Sequence, residues 1–265
     1  MRFFHNNTEI TSRTERLDTS TYSMTYLIGE YIYIASDFPF NHLYMKLGTI
    51  KNVVANTTMT VEYYGTSWNS VVELVDGTSG LSASGFIDFT PNRNYGWSMA
   101  YDSTIIGITK TLYDKYWTRI SFDKNLTASI DLSFLGIKFS DDDDLFSEYP
   151  VFNDSNFLTA FKAAKTDWEE QEIKASSLII DDLKKKNVIV AAEQVLDRKR
   201  FIGANTCKTA EIIFTAFGND YLEQKKAAKE EYSKRLDLSQ YSVDKDNNAI
   251  LTPGEIVQSQ GWLCR

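Results

Sequence analysis

Hydrophobic and polar residues alternate with two different periods along the chain, and the period changes near residue 140. Before that point, short segments alternate at a period of two, as in residues 58–64 and 116–122. After it, hydrophobic residues recur every three or four positions over residues 155–236. A period of two predicts strands and a period near 3.6 predicts helices. The pattern therefore predicts a β module followed by a helical module, an α+β chain.

The first module reads as short strands separated by turns. Residues 22–36 give two strand-like pieces on either side of Gly29-Glu30, which predicts a hairpin, and residues 58–64 and 68–75 flank a turn at 65–67. Further strands are predicted at 85–90 and 129–139. In residues 116–122 the alternation places Tyr116, Thr118, Ile120 and Phe122 on one side. Short strands at this spacing favour an antiparallel β-sandwich, jelly-roll-like, over residues 1–140.

The second module reads as a helical bundle over residues 155–240. Phe157, Phe161, Ala164 and Trp168 form one stripe, which predicts a single helix with Ser155 or Asn156 as its N-cap. Residues 189–196 predict a short apolar helix. Residues 210–221 predict another, which Gly218 either interrupts or separates from a charged segment ending near residue 236.

Composition supports the same division. Residues 1–140 hold 18 Thr, 15 Ser and 23 of the 36 aromatic residues, a mixture typical of strands and turns. Four aspartates at positions 141–144 mark the break, and residues 141–154 are interpreted as an acidic linker. Residues 241–265 are interpreted as a C-terminal arm.

The charge of the chain disfavours binding to nucleic acid. The formal net charge is -8, divided as -2 over residues 1–140 and -6 over the remainder. Neither part offers a basic surface by count. No signal-peptide core and no run of 18 apolar residues occurs, so we expect a soluble protein made in the cytosol, with no membrane partner. Cys207 and Cys264 are expected to be free thiols, since two cysteines do not make a disulfide framework.

One segment of the proposed arm matches the ligand spacing of an EF-hand calcium loop. The oxygen ligands at positions 1, 3, 5, 7, 9 and 12 would come from Asp244, Asp246, Asn248, the Ile250 carbonyl, Thr252 and Glu255. Ala249 stands where the motif has glycine, and Pro253-Gly254 disturbs the start of the exit helix. The alternative is a loop closed by Asx turns, which needs no ion.

The chain carries no motif for catalysis. Its two histidines are His5 and His42, and it contains no Gly-x-Ser-x-Gly, His-Glu-x-x-His or glycine-rich phosphate loop. We therefore expect a protein that is not an enzyme and needs no cofactor apart from the possible calcium ion. Trp68 and Trp97 are candidates for stacking on a sugar or for a subunit interface, although aromatic residues in strands more often belong to the core.

Two parts of the chain resemble virion proteins of tailed phages. Residues 31–44, 71–78, 85–91 and 116–120 resemble a β module of tail, neck and baseplate proteins. Residues 178–240 resemble helical head-to-tail connector (adaptor) proteins, with a short helix ending in Asp197-Arg198-Lys199-Arg200 and a charged helix over residues 221–236. Such adaptors are often helical throughout, so the β module is a departure from their pattern.

The resemblance implies a structural function in the neck of a virion. The chain would form a homo-oligomeric ring, expected to be dodecameric, that joins the portal protein to the tail or to other neck proteins. Channel DNA would be only an incidental partner, and the protein would be synthesised in the host cytoplasm. The alternative is a carbohydrate-binding or receptor-binding virion protein that uses its β module.

Overall fold

The computed structural model describes residues 1–11, 21–92, 96–100, 112–127, 129–238, 241–242, 244, 247–250 and 256–257. The chain divides into two compact units. The first unit comprises Met1–Ile137 with Asp244–Ile250, and the second comprises Lys138–Val243 with Leu251–Arg265. Antiparallel sheets form the first unit and helices dominate the second, as the α+β prediction requires.

Twelve strands are described in residues 1–137. They are β1 (Arg2–His5), β2 (Thr8–Glu9), β3 (Tyr22–Met24), β4 (Ile32–Ser36), β5 (His42–Leu47), β6 (Met59–Tyr64), β7 (Trp68–Ser70), β8 (Glu73–Asp76), β9 (Gly85–Thr90), β10 (Met99–Ala100), β11 (Lys115–Phe122) and β12 (Ile130–Gly136). One sheet has the order β2-β1-β4-β11-β6-β7, with β10 also paired to β11. The other has the order β3-β12-β5-β9-β8.

The predicted alternation of β11 is confirmed. Tyr116, Thr118, Ile120 and Phe122 are buried on one side of the strand. Trp117 points to the other side and is also fully buried, because Phe4, Tyr33, Ala35 and Leu112 form a second hydrophobic cluster around it. Both faces of this sheet therefore cover hydrophobic side chains.

The hairpin predicted within residues 22–36 is wrong. β3 pairs with β12, whereas β4 pairs with β1 and β11, so the two strands belong to different sheets. The connection between them is held by Tyr26, whose hydroxyl donates to the Glu30 carbonyl oxygen at 2.7 Å and accepts from the Phe122 amide at 2.8 Å. The turn predicted at 65–67 is confirmed, since β6 pairs with β7. The single strand predicted over 68–75 is wrong, because β7 and β8 are separate strands that belong to different sheets.

The second unit contains five described α-helices within residues 138–238. They are α1 (Asp142–Glu148), α2 (Ser155–Phe161), α3 (Glu169–Lys185), α4 (Ile202–Ala216) and α5 (Leu222–Leu238), joined in part by 3-10 turns at Pro150–Asn153, Ala192–Gln194, Arg198–Phe201 and Gly218–Tyr221. Their core includes Leu145, Phe152, Trp168, Ile213 and Phe214. Gly218 has a φ of +73°, and it separates α4 from the charged helix α5.

The single helix predicted through Phe157 and Trp168 is wrong. α2 ends at Phe161, Ala164 has a φ of +59°, and Trp168 is the N-cap of α3. The N-cap of α2 is Asp154, whose carboxylate accepts the Asn156 amide at 2.8 Å, and neither Ser155 nor Asn156 takes that position.

The aspartate run begins a helix and is not a linker. Asp141 is the N-cap of α1, where its side chain accepts from the Asp144 amide and the Asp144 side chain accepts from the Asp141 amide in return. Asp142 and Asp143 complete an acidic first turn, which the positive end of the helix dipole favours. Leu145 and Phe152, within the predicted linker, are fully buried.

The short helix predicted over residues 189–196 is also wrong. Only the 3-10 turn Ala192–Gln194 forms there. The Gln194 side-chain oxygen accepts the amides of Val190 and Ala191 at 2.8 and 3.1 Å, and such local side-chain-to-backbone bonds compete with helix formation.

The described part of the proposed arm contains one short ladder. β13 (Tyr241–Ser242) pairs antiparallel with β14 (Ile256–Val257). No helix in the described ranges is both long and apolar enough to span a bilayer.

Candidate functional site

Trp68 lies in a cluster of aromatic and charged side chains on one face of the seven-stranded sheet. Strands β4, β11, β6 and β7 are neighbours in this sheet, and the register places Arg119 opposite both Tyr33 and Glu62. The Arg119 Nε donates to the Glu62 carboxylate at 2.6 Å. Both side chains are partly shielded from solvent, with exposures of 17% and 18%.

The Arg119 guanidinium organises the aromatic rings around it. Its Cζ lies 4.2 Å from the centre of the Tyr31 ring and 4.4 Å from that of Trp68. Trp68 also contacts the rings of Tyr64 and Tyr33, at centroid distances of 5.3 and 6.0 Å. We call Tyr31, Tyr33, Glu62, Tyr64, Trp68 and Arg119 the Trp68 cluster.

The Trp68 cluster combines aromatic rings with a paired arginine and glutamate on one face of the sheet. Burial raises the pKa of Tyr33, which keeps its phenol neutral, while Arg119 acts in the opposite direction. Glu62 neutralises Arg119, so the cluster presents aromatic edges without net charge. Partly exposed Tyr, Trp and Arg are enriched at protein interfaces. Because Arg119 already occupies one face of Trp68, a ligand has access to the rest of the indole only.

Trp97 lies apart from Trp68, inside the first unit. It is 8% exposed and contacts the rings of Phe40, Tyr63 and Tyr116 at centroid distances of 5.6, 5.2 and 6.3 Å. Tyr63 and Tyr64 are consecutive on β6 and therefore point to opposite faces. The sheet thus separates the two tryptophans, and the buried position of Trp97 favours a role in the core.

The calcium-like loop is described only in part. Asp246, Thr252 and Glu255 lie outside the described residues. The fully buried Asp244 carboxylate accepts the amides of Asn248 and Ala249 at 3.1 and 2.8 Å. The Asn248 side chain in turn accepts the Ile250 amide at 2.6 Å. These are Asx-type bonds that close the loop through its own backbone, and calcium binding stays a prediction.

A buried ion pair lies in the second unit. Lys138 and Glu172 are both 0% exposed, and the Lys138 Nζ lies 2.6 Å from a Glu172 carboxylate oxygen. Burial raises the pKa of Glu172 well above its ordinary range, and the Lys138 charge opposes that shift. Asp142 lies within electrostatic range of both residues. Burial raises its pKa to about 6, while a hydrogen bond from the Trp168 amide and the Lys138 charge act against the rise.

Neutral side chains continue this polar interior. The Asn205 amide donates to the Ser140 hydroxyl at 2.7 Å, and its oxygen lies 3.2 Å from the Ser176 hydroxyl. Ser176 also lies 3.2 Å from the Phe139 amide, which donates to it. All three polar side chains are fully buried. They fix the segment before α1 against α3 and α4 and are closed to a substrate.

A groove opens on the surface of the second unit. It has a volume of about 590 Å³ and lies between the segment 148–151 and α5, with Phe214 at its base. Val151 and Ala227 are exposed there, and Glu230, Glu231 and Lys234 also line it. Its walls are therefore apolar in part and charged along α5.

Histidine and cysteine are not combined into a catalytic arrangement within the described residues. His5 hydrogen-bonds the Tyr22 hydroxyl at 3.0 Å, His42 hydrogen-bonds Asn41 at 3.0 Å, and the buried Cys207 contacts the Tyr149 hydroxyl at 3.5 Å. Burial raises the pKa of the Cys207 thiol, which makes a thiolate less available. No group of three or more His, Cys, Asp or Glu side chains in the described ranges is placed to hold a metal ion.

Trp68 was a candidate from the sequence, as was the neighbouring Tyr64, but the contacts of Trp68 with Arg119 and Tyr33 were not predicted. Arg119 was placed on the second face of β11 by the alternation, yet the strand order that brings it beside Tyr31 and Trp68 is a long-range property. Comparison with protein-family models gives no match, and comparison with curated proteins gives none either.

Proposed function

We propose that this chain is a structural subunit of a tailed-phage virion, a neck protein that forms a ring and joins the portal protein to the tail. The observation that carries the proposal is the division into two compact units of different construction, a β unit and a helical unit. Because residues 178–240 resemble head-to-tail adaptors, we assign ring formation to the helical unit. The β unit is then presented to another virion component.

We infer that the two sheets of the first unit form a jelly-roll sandwich. Four strand pairs are nested along the chain: β3 with β12, β4 with β11, β5 with β9, and β6 with β7. Successive pairs alternate between the two sheets. This is the pattern of one long hairpin rolled into two layers, which is typical of viral capsid and lectin jelly rolls.

Two surface features of the second unit support the proposal of a ring subunit. In the described part of α5, the buried side chains are Ala228, Tyr232 and Leu236, one every four residues, and charged residues cover much of the remainder. The groove beside α5 is partly apolar and carries the acidic Glu230 and Glu231. We infer that a neighbouring subunit inserts a side chain or segment into this groove.

The ring proposal is tested with purified protein, alone and mixed with the portal protein of the same phage, by mass photometry and negative-stain microscopy. We expect rings on the portal even where the free protein is monomeric, because mass action on the portal favours assembly. Ala227→Trp fills the groove from an exposed position, and Lys226→Trp adds the same side chain to an exposed position of α5 outside the groove lining.

We expect Ala227→Trp to abolish ring assembly and Lys226→Trp to preserve it. A wild-type protein that binds neither portal nor tail components would refute the neck function. Rings that form equally well with both variants would refute only the role of the groove.

The Trp68 cluster favours a second candidate function, the binding of a carbohydrate or receptor by the β unit. Its combination of partly exposed Trp68 and Tyr64 beside a neutralised Arg119 fits a weakly polar ligand. The test is a glycan array with the wild type and Trp68→Ala, with the exposed Tyr113→Ala as the control. Binding that is lost only in Trp68→Ala supports this function, and an array without signal refutes it for sugars.

A further inference from the structure

Three loops of the first unit come together around a cavity of about 360 Å³. The cavity is lined by residues 52–57, from the connection between β5 and β6, and by Ser79 and Ser82, from the connection between β8 and β9. The third loop, between β11 and β12, supports the first through hydrogen bonds. We call this the loop-end cavity.

One buried side chain fixes the shape of the loop-end cavity. Asn52 is 2% exposed, and its amide donates to the Gly80 carbonyl oxygen at 2.8 Å. Its side-chain oxygen accepts the backbone amide of Thr127 at 3.2 Å, and its own backbone amide donates to the Leu81 carbonyl oxygen at 2.9 Å. Asn52 therefore ties the three loops together before any ligand arrives, which lowers the entropic cost of binding.

Polar side chains at the rim of the cavity make no hydrogen bond to other described residues. Asn56, Ser79 and Ser82 are exposed, and within the described residues their side chains have no hydrogen-bond partner. Asn56 and Ser79 have φ angles of +54° and +50°. Non-glycine residues in this left-handed region are uncommon and cluster at functional sites. Serine rarely adopts this conformation, whereas asparagine tolerates it, so Ser79 is the uncommon case of the two.

The lining selects the chemistry of a ligand. No ionisable side chain belongs to it. Two charged groups near the lining make hydrogen bonds of their own: Asp76 accepts from Thr78 and Gly80, and the Lys124 ammonium donates to the Ala55 carbonyl oxygen. Hydroxyl and amide groups stand beside the aliphatic Val53, which is 82% exposed. A ligand complementary to this lining would carry hydroxyl groups and apolar C–H faces, and it would have no charge.

We propose that the loop-end cavity binds one neutral sugar residue of a glycan. Its volume lies near the lower end of the range for small-molecule sites, about 300–1,000 Å³, which suits a single sugar ring. An anion would find no cation in the lining and a cation would find no carboxylate. The inference deepens the second candidate function, on which it rests, by placing sugar recognition at the loops and away from the Trp68 cluster.

Saturation-transfer difference NMR on the full chain tests the proposal. The probes are glucose, galactose, mannose and N-acetylglucosamine at millimolar concentration, with the anionic N-acetylneuraminic acid as a charged comparison. We expect transfer to at least one neutral sugar and a signal at least tenfold weaker for the acid. Ser82→Trp fills the cavity and Asn56→Ala removes an amide, and each should reduce the transfer at least fivefold. Ser233→Trp, at an exposed position of α5, should leave it unchanged.

The outcomes separate this inference from both proposed functions. Transfer that survives in Ser82→Trp and Asn56→Ala but disappears in Trp68→Ala would move binding to the Trp68 cluster and overturn the inference. An absence of transfer to all four neutral sugars would overturn the inference and leave the ring proposal untouched. A melting temperature for each variant verifies folding, and if Ser82→Trp fails to fold, Asn56→Ala decides the result.

Discussion

The buried pair Lys138–Glu172 allows a sharp prediction about stability. At the 2.6 Å separation of Nζ and carboxylate oxygen, and with an effective dielectric constant near 20, the attraction between unit charges is about 6 kcal/mol. The cost of removing both charges from water offsets much of this attraction. The informative perturbation is therefore Lys138→Met, which keeps the length of the side chain and leaves the Glu172 carboxyl buried without its cation.

We expect Lys138→Met to lower the free energy of unfolding by about 3–5 kcal/mol at pH 8. The loss should be smaller at pH 5. Burial raises the pKa of Glu172 in the folded state, and the variant lacks the Lys138 charge that opposes this rise. The folded variant therefore holds a protonated carboxyl, whose free-energy cost falls as the pH decreases toward the ordinary pKa of a glutamate. Lys138→Met with Glu172→Leu removes both charges and should recover stability to within about 1 kcal/mol of the wild type, or exceed it.

The assay is urea unfolding of the full chain, followed by circular dichroism at 222 nm, where helices dominate the signal. Urea is preferred because it does not screen charges. Lys186→Met is the matched control: its ion pair with Asp237 has the same 2.6 Å distance, but the side chains are 43% and 70% exposed. We expect a loss of at most about 1 kcal/mol there. Equal losses for Lys138→Met and Lys186→Met, or a double variant no more stable than Lys138→Met, would refute the reasoning.

Three further predictions concern other polar groups. Asp142→Asn should flatten the pH dependence of the free energy of unfolding between about pH 4 and 6. Because the folded-state pKa of Asp142 is raised to about 6, stability falls as the pH rises through this window. Urea titrations at several pH values will show whether the slope persists in the variant. Asn52→Ala should cost about 3 kcal/mol, because it leaves the Gly80 carbonyl and the Thr127 amide without their partner. Thermal melting with the exposed Asn219→Ala as control measures this, and a loss equal to the control's would count against it. Millimolar calcium should raise the melting temperature, and Asp244→Ala with Glu255→Ala should remove the rise; no shift in the wild type would eliminate the calcium site.

Local patterns in the sequence predicted local structure well. The alternation in residues 116–122 gave the buried face of β11, and the turn at 65–67 gave the β6–β7 hairpin. The helical character of residues 210–216 was also apparent from spacing, since Ile213 is buried within α4.

Errors arose where a long-range contact or a capping side chain decided the structure. The apolar stripe through Phe161 and Trp168 reflects a shared core, in which the two rings pack 5.0 Å apart although a turn separates their helices. Asp141 looked like part of a charged linker because a four-residue acidic run has no periodicity, yet it serves as a cap. Lys138 and Glu172 carry no local signal, because 34 positions separate them in sequence and only folding pairs them.

The hydrogen bonds of Asn52 determine which positions in the loops of the β unit tolerate substitution. Its side chain bonds backbone atoms of Gly80 and Thr127 and also the hydroxyls of Thr57 and Thr127, and none of these partners is a side chain of Val53, Asn56 or Ser82. Substitutions at Val53 and Ser82 therefore leave the bonds of Asn52 intact while altering the surface of the loops, whereas the positive φ of Asn56 restricts replacement there. The loop end thus combines a constant scaffold with a variable surface, and a library randomised at Val53 and Ser82 would sample new specificities without a general loss of folding.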